Sequence, residues 1–202
     1  MMPSSGDGAA PSDSGGRPLD CVVLAAGAST RMGRAKIHLP LSGTTVVGAT
    51  VAHALEAGLR VIVVARADDA AIDALAGPRV LVVRNLDPER GMLSSIREGV
   101  REVRSDRFFF IPADMPFPGP GIYRSLAGIE ARGPLIPTCA GRRGHPVLMP
   151  SVLIPAILAL PDDRPLKTLI EESGPRLVEL GDEALVRDID TAEDYEAASG
   201  GS

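Results

Sequence analysis

Aromatic residues are scarce in this chain of 202 residues: they make up 3% of it, and tryptophan is absent. Apolar residues still reach 45%, so the core must be built from aliphatic side chains. Cysteine is nearly missing as well. Cys21 and Cys139 are too few for a disulfide framework, and each sits in an apolar stretch where a buried free thiol is expected, which points to a reducing compartment. No apolar run approaches the roughly 20 residues that a membrane-spanning helix needs. The N-terminus also lacks the basic-then-apolar order of a signal peptide, so a cytoplasmic protein with no membrane partner is expected. Positive charge is not in excess either: 21 Lys and Arg stand against 26 Asp and Glu, a net charge of -5. That balance excludes a generic nucleic-acid binder, and any polyphosphate site must be local.

What is present suits one domain of ordinary size. Residues 1–18, rich in Ser, Gly, Pro and Asp, cannot bury enough apolar surface to offset their ordering entropy and are expected to be a disordered tail. The domain is expected over 19–198, with a flexible end at 199–202. Short β-branched and aliphatic runs at 21–26, 61–65, 80–83, 108–111, 135–138 and 146–149 read as strands. Between them lie helical patterns, one from about 45 to 55 that stops at Gly58, another carrying Leu93, Ile96, Val100 and Val103. Strands that are apolar along most of their length suggest a parallel sheet covered on both faces. The fold class is α/β, a single-domain Rossmann-like three-layer sandwich with a mostly parallel sheet. Ligands of such sheets bind beyond the carboxyl ends of the strands, so chemically unusual residues should follow strands. They do: 27–36 follows the first, 85–95 the third and Asp114 the fourth.

The first of these is a glycine-rich loop, Leu24-Ala25-Ala26-Gly27-Ala28-Ser29-Thr30-Arg31-Met32-Gly33-Arg34-Ala35-Lys36. Gly27 and Gly33 permit close backbone approaches that turn N–H groups toward an anion, while Arg31 and Lys36 supply charge suited to a triphosphate. The spacing is neither that of a dinucleotide-binding glycine motif nor that of a P-loop. On residue types alone the loop could also be an ordinary turn with solvated cations.

Asp114 follows three phenylalanines and an isoleucine, and Pro116 keeps the chain from continuing regularly. It reads either as a metal-binding carboxylate at the sheet edge or as a cap for a helix near 121–131. Asp190 precedes Thr191-Ala192-Glu193-Asp194, which resembles a capped helix start, so it too has two readings. Alternation along an extended segment puts Asp188 and Asp190 on one side and Ile189 on the other. Mg²⁺ is satisfied by one or two carboxylates together with phosphate oxygens and water, so the pair Asp114 and Asp190 suits it.

The loop resembles the signature of the MobA-like nucleotidyltransferases, and the chain is most similar to the molybdenum cofactor cytidylyltransferases. The resemblance runs from about Cys21 to Tyr195. It is supported by Asn85 with Gly91-Met92-Leu93-Ser94-Ser95, by Ala113-Asp114-Met115-Pro116, by Gly141-Arg142-Arg143-Gly144-His145-Pro146-Val147 and by Asp188-Ile189-Asp190-Thr191. It implies a nucleotide-diphospho-sugar transferase-like fold and a Mg²⁺-dependent transfer of CMP from CTP to molybdopterin or the molybdenum cofactor, with release of pyrophosphate. Arg31, Lys36 and Asp114 are the implied catalytic residues, and Asp114 with Asp190 the implied metal ligands. Leu24, Ala25, Ala26, Gly27, Ser29, Gly33, Asn85 and Ser94 would hold the nucleotide, and Gly144 and His145 the acceptor. Residue types alone leave two readings open for each: Asn85 as a contact or a turn residue, Ser94 as a contact or a helix start, and His145, beside Arg142 and Arg143, as an acceptor contact or a structural residue.

The loop opens Leu-Ala-Ala-Gly, where the guanylyltransferases of the family resemble Leu-Ala-Gly-Gly. The resemblance therefore implies a pyrimidine, with the Ala26 methyl narrowing the space beside the base and GTP the competitor. One departure is Ile37-His38-Leu39-Pro40, where many relatives have a second apolar residue soon after the loop lysine. His38 is either an exposed position or one that adjusts phosphate or acceptor contacts, and His53 is expected to be structural. The competing readings are another phosphorylated acceptor, such as a sugar phosphate or methylerythritol phosphate, and a non-catalytic module for nucleotide sensing or cofactor delivery. The joint presence of Arg31, Lys36, Asp114 and Asp190 argues against the second. A passing contact with a molybdoenzyme or a maturation factor is implied by resemblance only.

Overall fold

The computed structural model describes residues 10–27 and 36–200. Strand β1 (Asp20–Leu24) leads to a 3-10 turn at Lys36–His38, a short antiparallel pair of β2 (Pro40–Leu41) and β3 (Thr44–Thr45), and helix α1 (Val46–Glu56). Then come β4 (Arg60–Arg66), β5 (Val80–Asn85), α2 (Met92–Arg101), β6 (Arg107–Pro112) and α3 (Pro120–Ala127). The second half runs β7 (Leu135–Cys139), β8 (Arg142–Arg143), β9 (Val147–Pro150), α4 (Ile154–Ala159), α5 (Leu166–Glu172), β10 (Arg176–Glu179) and α6 (Ala192–Ser199).

The main sheet has the order β10-β7-β9-β6-β1-β4-β5, with β8 paired to β7. β1 is parallel to both β4 and β6, so Val22 stands beside Ile62 and Phe110. β9 runs against both of its neighbours, and β10 is parallel to β7. The carboxyl ends of β1, β4, β5 and β6 therefore share one edge, the edge at which open α/β sheets bind ligands.

Successive residues of a strand point to opposite faces, and both faces here are covered. Cys21, Val23, Val61, Val63, Phe109 and Ile111 pack on one side with α1 and α3, and Phe109 meets Tyr123 edge to face at 5.2 Å. Val22, Ile62, Val64, Phe108 and Phe110 pack on the other with α2, α4 and α5. This is why the strand runs look apolar throughout rather than alternating. Helix α2 lies very close to the sheet: a Cβ at Gly99 would come within 2.4 Å of Val22 Cγ1. Both cysteines are free and buried, and burial pushes the Cys21 thiol well above its usual range.

Local chemistry sets the element ends. Thr45 caps α1 through its side chain, which accepts from Gly48 N at 3.1 Å. Gly58 ends the connection with φ +94, and a Cβ there would strike Ala10 at 2.4 Å. At the sheet's amino end the buried Asp20 accepts from Arg60 Nε and from the Arg104 and Ser105 amides, so this charge is a structural one.

Three differences from the sequence expectations have clear causes. Residues 10–18, assigned to the tail, fold as a turn: Asp13 accepts from the Gly15 and Arg17 amides, Ser14 N donates to Asp106, and Pro11 is buried. Local hydrogen bonds hold this segment without large apolar side chains; residues 1–9 and 201–202 lie outside the described residues. The helix expected near 121–131 spans Pro120–Ala127, capped by Gly119, so Asp114 does not cap it. Strand β10 was not anticipated, because it is an edge strand with three of its four residues exposed and no apolar face to read.

Candidate active site

Asp114 sits one turn beyond β6 and is fixed by its backbone surroundings. Ala113 N donates to Leu24 O, Ala113 O accepts from Thr50 Oγ1, and Asp114 O accepts from Ile189 N at 2.9 Å. The last bond also brings the segment around Asp190 to the sheet edge, with Ile189 fully buried on the opposite side. The capping role at α6 falls to other groups. Thr191 and Asp194 form the capping box, and Asp194 accepts from the amides of Asp190 and Thr191. The Asp190 carboxylate is thereby left for a different partner.

That partner is Lys36. Its ammonium lies 2.6 Å from Asp114 Oδ2 and 2.5 Å from Asp190 Oδ1, and the side chain is only 11% exposed. Burial opposes the charge, but the hydrogen bonds to Asp114 and Asp190 outweigh it and hold the Lys36 pKa above the ordinary lysine value. Asp188 belongs to the same group: partial burial and the charges of Asp114 and Asp190 push its carboxyl upward. The two carboxylates therefore converge on one cationic centre. Among the described residues no group of three or more His, Cys, Asp or Glu side chains forms a metal cage. A two-carboxylate centre is nonetheless the kind that Mg²⁺ uses when phosphate oxygens and water complete its shell.

Beside this centre a cleft of about 420 Å³ is lined by Leu24, Ala25, Ala26 and Gly27 on one side and by Pro88, Glu89, Gly91, Met92 and Ser95 on the other. Ile37, Pro112 and Asp114 complete the lining. Ala26 is 3% exposed and belongs to the cleft lining. Arg31, Ser29 and Gly33 lie outside the described residues.

Asn85 and Ser94 face each other rather than this cleft. Asn85 is 2% exposed; its Nδ2 donates to Ser94 Oγ at 2.8 Å and to Ser95 Oγ at 2.9 Å, and its Oδ1 accepts from Asp87 N. Ser94 Oγ in turn donates to Gly91 O at 2.7 Å. The pair builds the turn that carries 87–92, and Ser95, which the sequence reading missed, lines the cleft. The adjacent Ser-Ser pair held the signal, but which hydroxyl points inward depends on where α2 begins.

A second pocket of about 590 Å³ adjoins the first and shares Leu24, Gly91, Met92 and Pro112 with it. Its floor is apolar, with Ile96, Phe110, Ile136, Val147 and Ile170, and its rim carries Arg90, Arg143, Arg164 and Lys167. Gly144 and His145 lie in its wall. Gly144 is required by close approach: a Cβ would stand 2.2 Å from Leu185 O. His145 packs edge to face on Phe110 with ring centroids 5.4 Å apart, and its buried Nδ1 has no hydrogen-bond partner among the described residues. Burial lowers its pKa, partly offset by the Phe110 carbonyl and the Asp114 charge, so the ring is neutral at pH 7. Arg143 is ion-paired with Glu171 at the rim.

His38 turns away from both pockets, with Nε2 2.8 Å from Asp69 Oδ2. His53 lies within α1, outside both linings.

A mostly parallel sheet with a lysine–carboxylate centre and two joined pockets at its carboxyl edge defines a nucleotidyltransferase of the nucleotide-diphospho-sugar transferase-like fold. The comparisons with known proteins agree. Residues 21–178 match the MobA-like NTP transferase domain, and the chain belongs to that family. It is 26% identical over 179 residues to the molybdenum cofactor cytidylyltransferase of Escherichia coli (strain K12), covering 88% of this chain and 93% of that protein. It is 27% identical over 190 residues to the purine catabolism protein PucB of Bacillus subtilis (strain 168), covering 87% and 93%. Among solved structures, a nucleotidyl transferase from Methanothermobacter thermautotroptrophicus superposes with a TM-score of 0.78 at 29% identity, over 92% of this chain and 97% of that one.

Proposed function

We propose that this nucleotidyltransferase transfers CMP from CTP to the phosphate of a molybdopterin-type acceptor and releases pyrophosphate. The observation that carries the reading is the Lys36 ammonium held between Asp114, which lines the cleft, and Asp190. A buried cation between two carboxylates is a charge centre suited to a triphosphate and a divalent ion. The name of the Escherichia coli relative supports both the nucleotide and the acceptor.

The two chain ligands for Mg²⁺ are Asp114 and Asp190; when bound, the ion would neutralise phosphate charge and polarise the transferred phosphorus. The rest of the work falls to the protein. The backbone at 24–27 and the Ser95 hydroxyl seat the nucleoside triphosphate, and Lys36 and Arg31 offer positive charge to its phosphates. Asn85 and Ser94 act by holding the 87–92 turn rather than by touching the base. The acceptor body rests on the apolar floor of the second pocket, with a hydrogen bond to His145 Nδ1, which has no partner among the described residues. Its phosphate oxygen attacks the α-phosphorus, the bond to the β-phosphate oxygen breaks, and the electron pair leaves on pyrophosphate. A phosphate monoester is already nucleophilic at neutral pH, so no covalent protein intermediate is needed, and positioning with charge stabilisation supplies the rate.

The base assignment rests on Ala26, whose methyl narrows the cleft beside the base and favours the smaller pyrimidine. The test is pyrophosphate release from each of the four nucleoside triphosphates with Mg²⁺ and molybdopterin or molybdenum cofactor. Release with CTP is expected. Release with GTP alone would overturn the base assignment, and turnover only with a sugar phosphate or methylerythritol phosphate would overturn the acceptor. The same assay in cell fractions would place the activity, which is expected in the cytoplasm; no helix among the described residues is long and apolar enough to cross a membrane. Co-purification with a molybdoenzyme or a maturation factor is the partner expected of a cofactor-making enzyme.

A further inference from the structure

The wall of the acceptor pocket between α4 and α5 is tied to the rest of the protein by more than apolar packing. Residues 161–165 form a turn, with Arg164 N donating to Pro161 O at 3.1 Å, and this turn contributes Asp162, Asp163, Arg164 and Pro165 to the pocket lining. The Asp162 carboxylate is the meeting point of two arginines. Arg90 donates to Oδ2 through Nε at 3.0 Å and through Nη2 at 2.6 Å, while Arg97 donates to Oδ1. Arg97 also donates to the Leu160 carbonyl, and its side chain is only 12% exposed.

Both arginines come from elements that shape the nucleotide cleft. Arg90 ends the 3-10 turn Pro88–Arg90, whose Pro88 and Glu89 line that cleft, and it is followed at once by Gly91 and Met92, which line both pockets. Arg97 lies on α2, the helix that carries Ser95. An isolated surface ion pair holds little. Here one carboxylate receives three N–H bonds from two planar guanidinium groups, a geometry that restricts all three partners together.

Resting on the nucleotidyl-transfer reading, we infer that Asp162 is a positioning residue: through Arg90 and Arg97 it clamps the acceptor-pocket wall to the nucleotide turn, so that a seated nucleotide firms the acceptor pocket. The arrangement gives a physical order to the two substrates. Nucleotide contacts quiet residues 88–92, and the Arg90–Asp162 link passes that restraint to residues 160–167.

Hydrogen–deuterium exchange on the full chain tests this. Without ligand, Asp162→Asn and Arg90→Ala should each speed exchange in residues 160–167 by about threefold to fivefold, and the double variant should be no faster than Asp162→Asn alone. With Mg²⁺ and CTP, the wild-type wall should exchange more slowly, whereas both variants should lose that response while residues 88–95 stay protected. Unchanged exchange in the single variants, additive effects in the double variant, or an equal nucleotide response in the variants would overturn the clamp. Wild-type protection at 24–27 and 88–95 with no response at 160–167 sinks the inference alone. No protection anywhere with any of the four triphosphates overturns the nucleotidyl reading together with the coupling that rests on it.

Discussion

Lys36 donates to Asp190 at 2.5 Å across 154 positions of sequence, and the same ammonium reaches Asp114. This triad joins the end of the glycine-rich loop, the turn after β6 and the segment before α6. It turns three polar residues with separate bland readings into one charge centre.

Replacing Asp114 should stop the chemistry and spare the fold. The anchoring bonds of this turn come from the backbone of Ala113 and Asp114, which Asp114→Ala retains. Pyrophosphate release should fall by about 10³-fold, the scale for loss of one preorganised charge-stabilising group, with the far-ultraviolet circular dichroism unchanged. A variant that unfolds would return Asp114 to a structural role.

Metal dependence follows from the same centre. Removal of divalent ions by a chelator should abolish pyrophosphate release, and Mg²⁺ should restore it. The thermal midpoint should change little, because the Lys36 ammonium already bridges Asp114 and Asp190. Full activity in excess chelator would refute the two-carboxylate site.

Ala26→Gly should widen the base end of the cleft. Removing one methyl from a close wall shifts discrimination by about tenfold or more, so the ratio of kcat/KM for GTP to that for CTP should rise by about that factor. An unchanged ratio would mean that base choice lies in other residues.

Asn85 and Ser95 should separate structure from contact. Asn85→Ala strands the hydroxyls and the Asp87 amide that Asn85 serves, and should cost about 2–3 kcal/mol, a drop in Tm of roughly 5–10 °C. Ser95→Ala strands one Asn85 N–H and should cost less, about 1 kcal/mol, yet raise the nucleotide KM. The opposite pattern would make Asn85 the contact residue.

The buried His145 adds a pH signature. Its native pKa lies below the ordinary 6.5, so the unfolded chain takes up the proton first on acidification. Its contribution to stability is complete above that value and is lost as pH falls below it, at no more than about 1.4 kcal/mol per unit. Melting from about pH 7.5 down to about pH 5.5 should show this loss in the wild type and a flatter profile in His145→Gln. Asp188, shifted upward by burial and by the charges of Asp114 and Asp190, acts in the opposite sense in both proteins, so the comparison with His145→Gln isolates the histidine.

Much of the fold was legible in the chain because burial on both sheet faces leaves its mark on composition. The runs of Val, Ile and Phe at β1, β4 and β6 are apolar throughout for that reason. The positions of Asp114 and Asp190 were readable because one follows the end of a strand and the other precedes the start of a helix, each with a sharp local signal. Edge strand β10 left no such mark. Nor did the choice between Ser94 and Ser95, since a helix start displaced by one residue rotates a side chain by about 100°.

The sequence alone determined which chemical groups are available, and that the loop lysine and Asp114 follow strands: a lysine, two aspartates, a small residue at Ala26 and a Gly-His-Pro turn. Tertiary structure decided which of them meet. Lys36 is buried between Asp114 and Asp190, Asn85 is spent inside its own turn, His38 is taken by Asp69, and Asp162 is drawn to Arg90 and Arg97. Such partnerships depend on distances of a few ångströms between residues far apart in the chain, and hydrogen bonds weaken too steeply with distance and angle for spacing in sequence to specify them.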